Sequence, residues 1–206
     1  MIAYTIQVDG QPLPPEALQL LQQVEAEEHL RMADMLRLTF RITTRDDGSG
    51  WRLLDDALFV PLTSVRLQIT VGNAAAVTVV DAYVVETQVE FSNNPGETLF
   101  HVIAMDGTIL MNLEDKARAW PGMSISDIAT TLFEEYGFSA DVATTDVTYD
   151  EEETLLMQRG TDIQFLQLLA RRQGFELYIE IDPASGEVTG HFHPLLLDSE
   201  PQGLLT

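Results

Sequence analysis

The sequence predicts a mainly β chain that ends in a small α+β portion, and three observations carry that prediction. Apolar residues alternate with polar ones through most of the chain up to Met105, the period-two signature of half-buried strands. After Asp106-Gly107 the period lengthens to that of two amphipathic helices with marked ends. With 206 residues, 45% of them hydrophobic and 21% charged, the chain can bury one large or two small cores without disulfides, and it has no cysteine.

Taken in order, Tyr4, Ile6 and Val8 alternate with Thr5 and Gln7 before a turn at Asp9-Gly10, and Pro12, Pro14 and Pro15 interrupt the pattern. In Glu16 to Leu30, Leu18, Leu21 and Val24 fit a helical stripe while Val24, Ala26 and Glu28 fit one strand face; the segment is read as a short turn followed by a strand. Leu36, Leu38, Phe40 and Ile42 form the next strand, closed by the polar loop Asp46-Asp47-Gly48-Ser49-Gly50. Val65, Leu67, Ile69 and Val71 repeat the pattern up to Gly72-Asn73. Val77 to Phe91 and Thr98 to Met105 then pair as a long hairpin around Asn93-Asn94-Pro95-Gly96. Strands of this kind, two-faced and linked by turns, predict an antiparallel barrel or sandwich.

Ser124 followed by Asp127 predicts a capping box with Asp in place of the usual Glu or Gln. Ile125, Ile128, Ala129, Leu132, Phe133 and Tyr136 then share one helical face that ends at Gly137. A second helix begins at Thr161 with Gln164 three residues on, carries Phe165, Leu166, Leu169 and Ala170, places Arg171 and Arg172 in its last turn, and stops at Gly174. Its apolar residues are expected to lie against the strand Phe175 to Ile181 and the helix from Ser124. Asp182-Pro183-Ala184-Ser185-Gly186 turns that strand into a partner at Val188 to His193.

Eleven Lys and Arg stand against 33 Asp and Glu, a formal charge of −22. That field repels phosphate backbones and anionic headgroups, so nucleic-acid binding by a basic face is excluded. The absence of cysteine removes thiol catalysis, thiolate zinc sites and disulfides, and leaves the redox compartment open. No apolar run reaches the roughly 18–20 residues that span a bilayer. Met1-Ile2-Ala3-Tyr4 lacks the basic stretch of a signal peptide, so synthesis in the cytoplasm without export by that route, and no membrane anchor, are expected.

Candidate chemistry is sparse. The acidic run from Glu134 to Glu153, ending in Asp150-Glu151-Glu152-Glu153, lacks the ligand order of a calcium loop and reads as a solvated loop. Paired carboxylates for glycoside hydrolysis can be drawn from so many acidic residues that their presence decides nothing. His191 and His193 share a strand face, but His29 and His101 lie in other segments and no third ligand accompanies the pair. They read as exposed strand histidines and no metal site is expected. The chain carries no GxSxG, GxxxxGK[ST] or GxGxxG. Trp51 and Trp120 read as core plugs beside turns, and Met105, Met111, Met123 and Met157 as gap-filling core.

The order of segments is itself a signal. Phe100-His101-Val102-Ile103-Ala104-Met105-Asp106-Gly107 is followed by Leu110-Met111-Asn112-Leu113-Glu114-Asp115-Lys116, Trp120-Pro121, Ser126-Asp127-Ile128-Ala129 and Tyr136-Gly137-Phe138. Then come Gln158-Arg159-Gly160-Thr161-Asp162-Ile163-Gln164-Phe165-Leu166, Leu169-Ala170-Arg171-Arg172 and Gly174-Phe175-Glu176. In this order the segments resemble the late control protein D family, the baseplate hubs of contractile phage tails and phage-tail-like injection particles. That family is related to the N-terminal part of the valine-glycine repeat spike proteins of type VI secretion. The resemblance is densest from Val80 to Phe192 and rests on no catalytic motif.

The resemblance implies a tube-like antiparallel β-barrel over residues 1–107, a small two-helix α+β insertion domain over 108–193, and the start of a possible second barrel over 194–206. It implies a structural, non-enzymatic hub that links tail tube to spike, with no catalytic, cofactor-binding or metal residues. The implied partners are two further copies in a homotrimer, tail tube proteins, the spike protein and other baseplate proteins. Assembly in the cytoplasm and residence in a particle baseplate are the matching expectations. A carbohydrate hydrolase using paired carboxylates and a soluble cargo-loading adaptor built on the same barrel are the rival readings.

Overall fold

The computed structural model describes residues 2–29, 32–94, 96–147 and 155–195. These fall into two compact units, one of Met1–Met111 together with the hairpin tip Ile181–Val188, the other of Asn112–Glu180 and the residues from Thr189 onward. The first unit thus ends a few residues beyond 107 and takes in a piece of chain that the sequence reading assigned with 108–193. Asp150 to Glu153 and 196–206 lie outside the described residues, and with them the acidic run's end and most of the expected second-barrel start.

The first unit is one antiparallel sheet. Its strands are β1 (Ile2–Val8), β2 (Gln11–Pro12), β3 (Leu21–Glu27), β4 (Met35–Ile42), β5 (Ser64–Val71), β6 (Val77–Glu90) and β7 (Thr98–Met105), with α1 (Pro15–Leu20) before β3. They are ordered β2-β1-β5-β6-β7-β4-β3. The alternation read from the sequence is the alternation of burial: Leu36, Leu38, Phe40 and Ile42 of β4 are each 1% exposed or less. They pair in continuous register with β7, from Met35 opposite Met105 to Ile42 opposite Thr98. Phe40, Phe59 and Phe100 stack about one another with ring centroids 5.4 to 6.4 Å apart. Asp9 and Gly10 both take positive φ, 47° and 72°, as a tight two-residue hairpin requires.

The expected turn after Pro14 is a short helix, because Pro15 sits at its first position, where the missing N–H is not needed. The strand after it is β3, as the alternate face of Val24 and Ala26 indicates. Bulges fall between Leu67 and Gln68 in the β5–β6 ladder and between Val84 and Glu86 in the β6–β7 ladder, and bulges bend a sheet. The sheet curls until its two ends meet. Ile2 and Tyr4 of β1 and Leu21, Val24 and Ala26 of β3 line one groove of about 400 Å³. Among the described residues no backbone ladder joins β3 to β1, so the barrel has an open seam. Trp51, bridged through its backbone to Thr44, is half-buried and meets the Phe91 ring edge-on at 5.6 Å. The hairpin tip is tied on where the Thr78 N–H donates to the Pro183 carbonyl at 2.8 Å.

The second unit is α+β. Beyond a 3₁₀ turn at Gly107–Asn112 it contains β8 (Lys116–Trp120), α2 (Ile125–Glu135), β9 (Ser139–Val142), β10 (Leu156–Gly160), α3 (Asp162–Gln173), β11 (Phe175–Ile181) and β12 (Val188–Pro194). Both helices start and stop where their sequence signals lie. Ser124 and Asp127 form the reciprocal capping box, the Thr161 hydroxyl accepts from the Gln164 N–H, and Gly174 closes α3 in the left-handed conformation. Strands β8, β9 and β10 were not expected; β8 and β10 form an antiparallel pair, and β9 runs parallel to β12 in a sheet ordered β11-β12-β9.

Helix α3 meets β10 and α2, and Phe165 stacks on Trp120 of β8 with centroids 6.5 Å apart, so its cover comes largely from the unforeseen pair β8–β10. Trp120 and Met111 are buried to 1% as core residues, but Met157 is 47% exposed, because β10 alternates and turns Leu156 and Gln158 inward instead. Helix α2 approaches β12 at Gly190, where an added Cβ would lie 2.3 Å from the Phe133 ring. Gly190→Ala should therefore cost about 1–3 kcal/mol by overpacking, and Leu166→Ala about 2–5 kcal/mol by emptying a fully buried leucine site. Denaturant unfolding of each variant checks both; a wild-type midpoint for Leu166→Ala would refute this packing of α3.

Candidate functional site

The sheet β11-β12-β9 carries one polar face. The parallel register sets His191 opposite Asp141, so the two side chains emerge together, with His193 two residues further along the same face of the central strand. The His191 Nδ1 lies 3.0 Å from the Asp141 Oδ2, and its Nε2 lies 3.5 Å from the Glu180 Oε2 of β11. The His193 Nδ1 faces the Pro194 carbonyl oxygen at 2.8 Å, while its Nε2 lies 4.0 Å from the same Asp141 oxygen. Tyr178 of β11 stacks on the His191 ring at 4.6 Å and brings its hydroxyl to 3.4 Å from the His193 Nε2. Burial foremost, then the charges of Glu180 and Asp141, hold the Tyr178 phenol above its ordinary value.

This arrangement corrects the reading of exposed histidines with no third ligand. The side chain of His191 is 13% exposed and that of His193 10%, and Asp141, which the sequence reading passed over, supplies a carboxylate oxygen. One donor atom from each of Asp141, His191 and His193 lies within 4.8 Å of the others. No linear spacing announces such a trio, because two of its members lie on one strand and the third comes from a parallel neighbour far back in the chain. His101 is taken up by the Thr39 hydroxyl at 3.0 Å, and the His29 Nε2 lies 3.5 Å from Glu27.

A second polar cluster lies at the start of α3. Asp162 is fully buried, and its carboxylate accepts from the Lys116 ammonium at 2.5 Å, the Tyr136 hydroxyl at 2.5 Å and the Gln158 amide at 2.6 Å. Gln158 in turn accepts from the Trp120 indole at 3.2 Å. Burial by itself would raise the Asp162 carboxyl, but the hydrogen bonds from Lys116, Tyr136 and Gln158 outweigh it and hold it below its ordinary 3.8. The same bond to Asp162 lifts Lys116 above 10.5. Every acceptor is engaged by a neighbouring element, which is the pattern of a structural clasp rather than of a reacting group.

Other carboxylates are likewise committed. Asp34, raised by burial, accepts from the His29 N–H at 2.7 Å, and Asp106 accepts from the Asp34 and Thr108 N–H groups, so this close pair fastens the ends of β4 and β7. A cavity of about 740 Å³ beside α1 presents Arg45 and Arg52, each paired with an aspartate, Asp56 and Asp46. Among the described residues no helix is long and apolar enough to cross a membrane.

The profile of the Alg8 N-terminal domain family matches residues 1–185. The chain belongs to that family. No curated protein matches it significantly. Among solved structures the chain is similar to the 43 kDa tail protein of prophage MuSo2 from Shewanella oneidensis, at 14% identity and a TM-score of 0.57 over 92% of this chain and 53% of that one. A tail protein from Neisseria meningitidis MC58 is similar at 13% identity and 0.57 over 92% and 50%. So is an Escherichia coli component of the type VI secretion system, itself described as similar to the T4 bacteriophage tail proteins gp27 and gp5, at 11% identity and 0.56 over 91% and 48%. At these identities the likeness is one of fold, and the chain spans about half the length of the three proteins.

The Asp162 clasp makes the stability of the chain depend on pH at both extremes. The lowered Asp162 contributes stability that is present above 3.8 and is lost as pH falls through its native value. The raised Lys116 contributes stability that is present below 10.5 and is lost as pH rises through its own. Lys116→Met should cost about 3 kcal/mol near neutrality, the lower end of the range for an uncompensated buried charge, since Tyr136 and Gln158 still donate. It should also move the onset of acid unfolding to higher pH. Circular dichroism melts across pH measure both effects.

Proposed function

We propose that this chain is a structural, non-enzymatic baseplate hub component of a contractile phage tail or phage-tail-like injection particle, joining the tail tube to the spike. The observation that carries the reading is the fold, shared over more than nine-tenths of this chain with tail proteins and a type VI secretion component. The ordered segments that resemble the late control protein D family point the same way. Residues 1–107 act as the first barrel, 108–193 as the insertion domain, and 194–206 lead toward a second barrel.

The open seam supports an assembly role. The edge of β1 that faces away from β5, beyond its two-residue pairing with β2, and the outer edge of β3 lack a ladder partner among the described residues, and unpaired edges are templates for another chain. Ile2 and Tyr4 stand 74% and 53% exposed at that seam. In a homotrimer the edges of neighbouring copies close these ladders, and the charge of −22 keeps the passage free of electrostatic adhesion to acidic cargo. Assembly takes place in the cytoplasm, with tube, spike and other baseplate proteins as partners.

Sedimentation of the purified chain should reveal a concentration-dependent trimer, and co-purification with its own tail tube and spike proteins should retain it. Tyr4→Lys, at an exposed seam position, should leave the melt unchanged and weaken trimerisation about tenfold, a change of 1.4 kcal/mol. A chain that stays monomeric at every concentration and binds neither partner would overturn the proposal.

A further inference from the structure

The geometry points to a divalent transition-metal site, zinc foremost, at Asp141, His191 and His193 of the second unit. Three donors of the types that zinc takes, two imidazole nitrogens and a carboxylate oxygen, converge with one atom of each within 4.8 Å of the others. At zinc-ligand bond lengths of 2.0–2.1 Å, tetrahedral donors stand about 3.3 Å apart. The Asp141 Oδ2 is already 3.0 Å from the His191 Nδ1 and 4.0 Å from the His193 Nε2, so small side-chain rotations suffice.

The surroundings prepare both imidazoles as ligands. Beside the Pro194 carbonyl at 2.8 Å, the His193 Nδ1 must carry the proton, because an oxygen acceptor faces it. That leaves the Nε2 with a lone pair, 3.4 Å from the Tyr178 hydroxyl and 4.0 Å from the Asp141 oxygen. Without a metal the His191 Nδ1–H faces the Asp141 oxygen at 3.0 Å; a bound ion takes the place of that proton between the two atoms, and Glu180, 3.5 Å from the Nε2, stands where it can accept the N–H of the ligating tautomer. A ligating histidine with its other N–H on a carbonyl or carboxylate is the usual outer arrangement of such sites, where it sets the tautomer and raises ligand basicity. The Tyr178 ring stacked at 4.6 Å fixes the His191 plane.

The donors come from two strands, β9 and β12, with Glu180 on a third. A bound ion therefore staples β9, a four-residue edge strand, to the central strand of the sheet. Three protein ligands leave a position for water, and mixed nitrogen and oxygen donors favour zinc, nickel or cobalt over magnesium or calcium. This assignment is independent of the hub proposal.

Equilibrium dialysis of the full chain, prepared without a histidine tag, against micromolar zinc should give one zinc per chain. Cobalt in its place should show the visible bands of a tetrahedral site. His193→Gln should abolish both signals, and Asp141→Asn, at a side chain 61% exposed and so harmless to folding, should weaken zinc binding at least tenfold. Glu180→Gln, a positioning change, should weaken it about tenfold. Melts confirm that each variant is folded. No zinc bound to the wild-type chain overturns the assignment, as does binding that is unchanged in folded His193→Gln or Asp141→Asn.

Discussion

A carboxylate with no access to water must be met by donors from every side, and Asp162 imposes that demand on the second unit. It opens α3, takes Lys116 from β8, Tyr136 from the end of α2 and Gln158 from β10, and through Gln158 reaches the Trp120 indole. Four elements that are separate in the chain are thereby held at one point. Trp120, so oriented, offers its face to Phe165, and the Arg118 guanidinium stacks against the ring at 3.7 Å. Apolar packing by itself would tolerate sliding of α3 along β10; the hydrogen bonds do not, because each displaced donor would leave a buried charge uncompensated.

The first unit answers a different constraint, the edges of a sheet. Its interior is a row of alternate side chains from β1 and β3 to β7, and bulges in the β5–β6 and β6–β7 ladders assist the curl that brings β1 and β3 together. Among the described residues closure stops short of a backbone ladder, and apolar side chains face one another across the seam instead. Such an edge is a liability in an isolated chain and a means of joining copies in an assembly. The same geometry therefore serves both the fold and the proposed role.

The candidate metal cluster depends on neither feature directly. It follows from the parallel pairing of β9 with β12, which sets Asp141 beside His191, and from the close approach of α2 at Gly190, which seats that sheet. One face of β12 thus carries a glycine and Phe192 toward the core, and the other carries the two histidines with their acidic neighbours. The alternation that builds a core on one side gathers polar donors on the other.

Much of this was written locally. The strands β1, β4, β5, β6 and β7 were legible because burial of one face forces period two, and α2 and α3 because Ser124, Asp127, Thr161, Gly137 and Gly174 satisfy helix ends through near neighbours. The likeness of fold to phage tail proteins and a type VI secretion component was legible as an order of segments. Trp120 was read as core, but its tie to Gln158 and Asp162 was not, nor were β8 and β10. These short strands have weak patterns, and each exists because it pairs with the other across a long stretch of chain. Met157 was misplaced for the same reason, since which side of β10 faces inward is decided by β8 and α3. The third member of the histidine cluster is the clearest case: His191 and His193 announce themselves by spacing, whereas Asp141 joins them only through the register of a parallel pair. Local signals reach a few residues along the chain, and register between distant strands is settled only when the whole sheet packs.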